Sequence, residues 1–487
     1  MQNLKVLSST AKSTDAGSLM QRYAQRSVPY EWHETPILAR QRQRESNARS
    51  YPRRIPLALR RGRGIYVEDT EGRVFIDCLA AAGTLALGHN HPVVTEALRN
   101  ALDGELPFQT LDLMTPVKDE FVSELFSLLP ESFAKHARIQ FCGPTGTDAV
   151  EAALKLVRTA TGRKGVFAFH GAYHGMSQGS LALMGNRGPK EALDGVLGQA
   201  HFMPYPYDYR CPFGLGGAAG EAAGLSFIEN ALTDPESGVL APAGIILEPV
   251  QGEAGVIPTS ASWLQKLRAL ATRGQVPLIL DEVQTGLGRT GRYFDFLHAD
   301  IVPDVLVLSK AIGGGLPLSV VVYHESLDVW QPGAHAGTFR GNQLAMATGL
   351  ATLRHVQRER LDQHAQRMGE RFRAHLLAIQ KECPIVGDVR GRGLMLGMEI
   401  VGPEGTGGRA QLAGAAQPNR EAALSIQQGC LRRGLIVELG GRMGATVRLL
   451  PPLIINTDEV DTVAEILQSA VREVAQRWPG RERLAQH

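Results

Sequence analysis

The chain has 487 residues, 51 Lys and Arg against 49 Asp and Glu, and 54 glycines. That length is material for two or three domains, and a formal net charge of +2 supplies no basic field for a polyanion such as nucleic acid. With 44% apolar and 21% charged residues the composition excludes wholesale disorder, and glycines without a G-x-y period exclude collagen.

The opening, MQNLKVLSSTAKSTDAGSLMQ, lacks the apolar core of a secretory signal. No later stretch approaches the ~18 uninterrupted apolar residues of a membrane span. Five cysteines, at 78, 142, 211, 383 and 430, are scattered without a CxxC pair. They point to reduced thiols in a cytoplasmic protein and to no metal site.

Residues 1–44 are polar and rich in Gln, Arg and Ser, which describes a mobile or loosely docked arm. IYVEDTEGRVFIDCL (65–79) sets two β-rich runs around Asp-Thr-Glu-Gly and predicts a hairpin. TPVKDEFVSELFSLLP predicts an amphipathic helix with Val117, Phe121, Leu125 and Leu128 on one face. Short apolar runs then alternate with helical stretches: RIQF (138–141), KGVFAF (164–169), AGIILE (243–248), VPLILD (276–281), DVLVLS (304–309) and LSVVVY (318–323). Runs of this kind suit strands covered on both faces of a parallel sheet, so a large α/β domain extends to about residue 325.

Within that domain the Gly/Ala run FGLGGAAGEAAG (213–224) reads as a spacer loop. Beyond it, NQLAMATGLATLRHVQRERL predicts a helix and LMLGMEI a strand. GPEGTGGRAQLAGAAQP (402–418) has too little bulk to pack and predicts a flexible loop. A helix over about 420–433, the strands GLIVEL and TVRLLP, and a closing amphipathic helix over 458–477 complete a smaller α+β unit.

In an open parallel sheet, ligands bind beyond the carboxyl ends of the strands. Here those ends carry Glu248, Asp281 with Glu282, and Lys310, while RIQF runs into CGPTGTDA. One such residue is usually a solvated strand end; several converging on one edge suggest a site. CGPTGTDAVEAALKLVR predicts a strand, a turn at Gly143 and Gly146, and a helix. The free N–H groups at that helix start suit an anion, with Thr147 adding a hydroxyl. Thr147-Asp148 also suits a simple helix cap. Neither a Walker A loop nor GxGxxG is present.

Lys310, at a buried strand end beside Gly313–Gly315, sits where an amine pKa falls and a neutral amine forms a Schiff base with a carbonyl. Asp281 is a fixed negative charge able to keep a pyridinium nitrogen protonated. Phosphate at a helix start, ring nitrogen on Asp281 and aldehyde on Lys310 together describe pyridoxal 5′-phosphate.

From about residue 45 to the C-terminus the chain resembles the class III (ω-) aminotransferases of the type I PLP-dependent transferase fold. The resemblance is carried by GHNHP (88–92), PTGTDAVEAALK (144–155), HGAYHG (170–175), EPVQGEAG (248–255), LDEVQTGLGRTG (280–291), PDVLVLSKAIGGGLP (303–317) and GTFRGN (337–342). It implies an α/β fold with a large, mostly parallel-sheet domain and a smaller α+β domain. The division would be an arm (1–44), the N-terminal part of the small domain (45–104), the PLP-binding domain (105–360) and the rest of the small domain (361–487).

It further implies that Lys310 is the Schiff-base lysine and proton carrier and that Asp281 pairs with the ring nitrogen. Val283 would pack beneath the ring, Gln284 near its 3′-oxygen and Tyr173 on its exposed face. Gly146 and Thr147 would bind the phosphate, with Thr338 reaching it across the interface of a homodimer with shared sites. His89 and His91, in GHNHP, would hold a turn beside the site rather than a metal. Arg448 would bind the α-carboxylate of glutamate or 2-oxoglutarate, and Glu253 would cover it when an ω-amine donor is bound.

Within the family, ESNARSYPR (45–53), LAAAGTLALGHNHP (79–92) and LDLMTP (111–116) look like the diaminobutyrate:2-oxoglutarate 4-aminotransferases. The alternatives are another ω-amine (ornithine, 4-aminobutyrate or another diamine), another PLP reaction on the same scaffold, or a catalytically silent PLP-fold protein. One departure stands out. Ornithine and 4-aminobutyrate members carry an arginine just after the ring-stacking aromatic, for the distal carboxylate. Here YHGMSQG places Met176 there, which leaves the carboxylate's holder open; residues 81–84 or 109–113 are candidates.

Overall fold

The computed structural model describes residues 16–193, 195–402 and 415–477. Seven strands form one sheet in the order Ala137–Phe141, Val320–His324, Val305–Leu308, Leu278–Asp281, Gly244–Leu247, Val166–Phe169 and Ala200–Met203. The strands from Val305–Leu308 to Ala200–Met203 pair in parallel, as the apolar runs predict. Helix Gly146–Thr161 covers one face, packing Ala149, Val150, Ala153 and Val157 near Val305, Val307 and Val321.

Two features of this sheet differ from the sequence reading. LSVVVY becomes Val320–His324, antiparallel to both its neighbours. Its connection explains the reversal: residues 309–319 hold only the 3-10 turn Lys310–Gly313, too little chain for the crossover a parallel return requires. FGLGGAAGEAAG is not a loop but opens the helix Gly217–Thr233. Alanine is the strongest helix former, and the small residues serve packing: a Cβ on Gly220 would lie 2.6 Å from Cys211 Sγ.

The hairpin read at 65–79 forms from Tyr66–Asp69 and Val74–Asp77. Leu59–Arg63 flanks it on one side and Leu435–Ile436, from the far end of the chain, on the other. A second small sheet joins Val386–Arg392, Met395–Ile400, Thr446–Leu449 and Glu438–Gly440. GLIVEL therefore divides between two sheets.

Residues 16–44 are more firmly placed than a loose arm. They carry the helices Ala16–Ala24 and Pro36–Arg44, with Leu19 and Tyr23 buried, Tyr23 beside Tyr66, and Arg22 ion-paired to Glu68 at 2.5 Å. The loop read at 402–418 lies mostly outside the described residues; Gly402 N–H donates to Gln417 O at its base. All five cysteines are buried and free. Among the described residues no helix is long and apolar enough to cross a membrane.

Helix Gln343–Arg358 rests on the Lys310–Gly313 turn because position 349 has no side chain. A Cβ there would overlap Ile312 O and lie 2.8 Å from Phe121 Cε2. Gly349→Val should therefore destabilise the fold by about 2–3 kcal/mol, read as a lower urea midpoint. An unchanged midpoint would remove this packing role.

Candidate active site

The carboxyl ends of the central strands bring the charged residues together. Asp281 closes Leu278–Asp281, Glu248 follows Gly244–Leu247, and Lys310 follows Val305–Leu308 by two residues. Lys310 sits at φ +49°, a left-handed conformation rare outside glycine, and strain of this kind gathers at functional sites. Burial is the largest influence on its amine and lowers its pKa, outweighing the opposing pull of Glu253, Asp281 and Glu248.

Asp281 Oδ2 accepts from His174 Nδ1 at 2.7 Å, and the His174 side chain is fully buried. Burial alone would lower the imidazole pKa, but the hydrogen bond to Asp281 and its charge raise it above the ordinary value. Asp281 is thereby held rigidly, its other oxygen accepting from Val283 N–H at 3.0 Å. Next to it, Glu248 accepts from the backbone N–H of Tyr173 and of Gly252, each at 2.9 Å. Burial pushes the Glu248 carboxyl up to about 7, with Asp281 adding to the rise.

Helix Gly146–Thr161 starts as read, and its start carries a cap. Thr145 and Asp148 form the capping box, Asp148 Oδ2 accepting from Thr145 N–H at 2.9 Å. Asp148 is used in capping, which leaves Gly146 and Thr147 at the helix start. Gly146 must be glycine, since a Cβ would stand 2.9 Å from Val283 Cγ1. Thr147 Oγ1 lies 2.5 Å from Ser177 Oγ and donates to Ser180 Oγ at 3.0 Å.

Arg448, in Thr446–Leu449, is fully buried. Its Nη1 donates to Glu253 Oε1 at 2.8 Å and lies 3.6 Å from Glu438 Oε2, while Nη2 donates to Gln284 Oε1 at 3.0 Å. Burial works to raise the Glu253 carboxyl, yet Arg448, Lys310 and Arg54 together hold it below its usual range. The pair read from the sequence is thus closed in this structure.

The structure places the remaining residues as follows. Tyr173 and Glu253 line a cleft of ≈1500 Å³ together with Met176. Thr338 is exposed in the 3-10 turn Thr338–Gly341, outside that cleft. His89 Nε2 lies 2.8 Å from Asp77 Oδ2, and His91 is the N-cap residue of helix Pro92–Asp103.

Sequence reasoning missed His174, the Ser177–Ser180 pair around Thr147, and Tyr51, whose hydroxyl donates to Glu438 at 2.7 Å. The signal for His174 was its place after Tyr173 in HGAYHG; Tyr51 had none beyond its motif.

The class-III aminotransferase family model matches residues 48–471. A diaminobutyrate–2-oxoglutarate aminotransferase of Rhizobium meliloti is 55% identical, covering 90% of this chain and 93% of its own. One from Haemophilus influenzae is 48% identical, covering 89% and 94%. Among solved structures, an amine transaminase from an uncultivated Pseudomonas species in its PLP-bound form superposes with a TM-score of 0.77 at 28% identity, covering 92% of this chain and 98% of that one.

Fold and site together define a pyridoxal-phosphate-dependent transferase of type I fold. Within that class, the chain belongs to the class-III aminotransferases. The residues present fit the cofactor: a partly buried, strained lysine, a carboxylate braced by a buried imidazole, and a capped helix start whose first residue has no room for a side chain.

His174→Leu would leave Asp281 buried without its hydrogen-bond partner, destabilising by about 1–3 kcal/mol. It should also loosen the cofactor, measured as loss of bound pyridoxal phosphate on gel filtration. Retention equal to the parent's would refute a positioning role for His174.

Proposed function

We propose that this chain transfers the 4-amino group of L-2,4-diaminobutyrate to 2-oxoglutarate, and in reverse makes diaminobutyrate from aspartate 4-semialdehyde and glutamate. The names of the two relatives support this reading. The observation that carries it is the closed Arg448–Glu253 pair. A site that must accept both an amino acid bearing a carboxylate at the reacting carbon and an amine lacking one needs a receptor with a removable cover. Arg448 is the receptor, able to engage a carboxylate bidentately. Glu253, itself 39% exposed, is a cover free to swing away.

Pyridoxal 5′-phosphate, when bound, supplies the electron sink for moving the amino group. The chain's residues hold it and move protons. Lys310 would hold the aldehyde and carry the proton at its Nζ. Asp281, hydrogen-bonded to His174, would pair with the ring nitrogen. Gly146 and Thr147 would hold the phosphate, and Val283, Tyr173 and Gln284 would hold the ring.

Thr338 completes the phosphate site of a second copy, which makes the working unit a homodimer. Its exposed setting beside Phe339, 60% exposed, supports that reading. Buried, unpaired cysteines suit a cytoplasmic enzyme.

A donor panel with 2-oxoglutarate as acceptor tests the substrate. Diaminobutyrate should yield stoichiometric glutamate with loss of the 4-amino group; a preference for ornithine or 4-aminobutyrate would overturn it. Arg448→Ala should impair the glutamate half-reaction at least about tenfold more than the diaminobutyrate one, and equal losses would sink the switch. Borohydride reduction should fix the cofactor to the peptide containing Lys310, and Lys310→Ala should abolish that adduct. An adduct surviving in the variant would refute the lysine's role.

A further inference from the structure

Met176 leaves unanswered what holds the carboxylate remote from the reacting amine. The candidate stretches 81–84 and 109–113 contribute nothing to the walls of the large cleft. Met176 itself lines that cleft, 56% exposed, and the same walls include Arg442.

Arg442 begins the 3-10 turn Arg442–Gly444, just past the strand Glu438–Gly440. Gly441 N–H donates to Glu253 O at 2.8 Å, so the backbone that bears Arg442 is anchored to the switch glutamate. Its guanidinium lies under the HGAYHG turn, where a Cβ on Gly171 would be 3.0 Å from Nη1.

Arg442 has no ion-paired anion, a lack it shares with Arg54, Arg187 and Arg420 in the same walls, but it is Arg442 that is held against the HGAYHG turn leading into Met176. Glu399, the carboxylate that acts on it, is already taken: Arg210 Nε donates at 2.6 Å, Arg390 Nη1 lies at 2.8 Å, and Tyr207 donates its hydroxyl. Arg390 has Asp388 as well, at 2.8 Å. Arg448 has Glu253. Among the described residues no carboxylate is ion-paired to Arg442, and burial lowers its guanidinium pKa against the weaker influence of Tyr207 and Glu399. A half-buried guanidinium without an ion-paired anion, on the wall of this large cleft, suits a carboxylate.

Both substrates of the proposed reaction bring such a group to one distance. In diaminobutyrate the carboxylate carbon is three bonds from the carbon bearing the 4-amine. In glutamate the side-chain carboxylate carbon is three bonds from the carbon bearing the α-amine. One remote receptor therefore serves both, while Arg448 serves the carboxylate that only glutamate has at its reacting carbon.

We propose that Arg442 is that receptor and sets the preference for carboxylate-bearing amines, in place of the charge missing at Met176. This assignment rests on the transamination reading above.

The test uses the holoenzyme and the matched donors diaminobutyrate and 1,3-diaminopropane, which differ only by the carboxylate. Single-turnover amination of the bound cofactor gives the ratio of their rate constants per concentration. Arg442→Met should lower that ratio at least about tenfold, with Arg442→Lys recovering part of it. A ratio within about twofold of the parent's, or parallel loss with both donors, would overturn the proposal.

A second measurement needs no variant. Phenylglyoxal labelling of Arg442 in the parent holoenzyme, mapped by mass spectrometry, should be suppressed by diaminobutyrate and by glutamate but not by 1,3-diaminopropane. Labelling that neither carboxylate suppresses would overturn it too. If the parent does not react with diaminobutyrate at all, the transamination reading has failed, and the glutamate arm of the labelling alone decides Arg442.

Discussion

Arg448 has no exposed side-chain surface, and a guanidinium removed from water must be met by anions and acceptors on every side. Its partners come from separate parts of the chain. Glu253 arrives from the segment after Gly244–Leu247, Glu438 from the adjacent strand, and Gln284 from the turn after Leu278–Asp281. Tyr51 braces Glu438 from the N-terminal region, and Gln284 in turn donates to Ala82 O. One buried cation thus fixes the register between the large sheet and the two small ones. Its Nε has no hydrogen-bond partner among the described residues.

A second constraint is close approach without side chains. The Lys310 turn is pressed between elements that touch through backbone: Gly349 meets Ile312 O, and Gly314, at φ +61°, meets Thr348 O. The same device at Gly146 brings the helix start against Val283. These contacts hold the lysine at an uncommon backbone angle, with the pKa of its amine lowered by burial.

Much of this was legible in the sequence because each signal was local. Buried strands betrayed themselves as short apolar runs, and Asp281, Glu248 and Lys310 stood immediately after them. What resisted reading was set by neighbours far along the chain. Strand direction at Val320–His324 depends on the length of its connection rather than on its apolar residues. The edge strand Ala200–Met203 is half-buried and has no continuous run to reveal it. Gly217–Thr233 looked like filler because lack of bulk signals a loop in isolation and close packing beside Cys211. His174 and Arg442 could not be ranked among other His and Arg residues, since their importance lies in what surrounds them: one carboxylate for the first, the absence of one for the second.

The division of GLIVEL between two sheets has a mechanical consequence. Leu435–Ile436 is locked to Val74–Asp77, Glu438–Gly440 is locked to Thr446–Leu449, and Val437 alone separates them. The segment behaves as a short rigid coupling rod. The residues just before it are gripped by the N-terminal region, where Tyr30 N–H donates to Arg432 O and Arg26 to Arg433 O. A displacement of the N-terminal segment is therefore transmitted, with little slack, to Glu438 and so to the electrostatic balance of Arg448, although the two lie in different sheets.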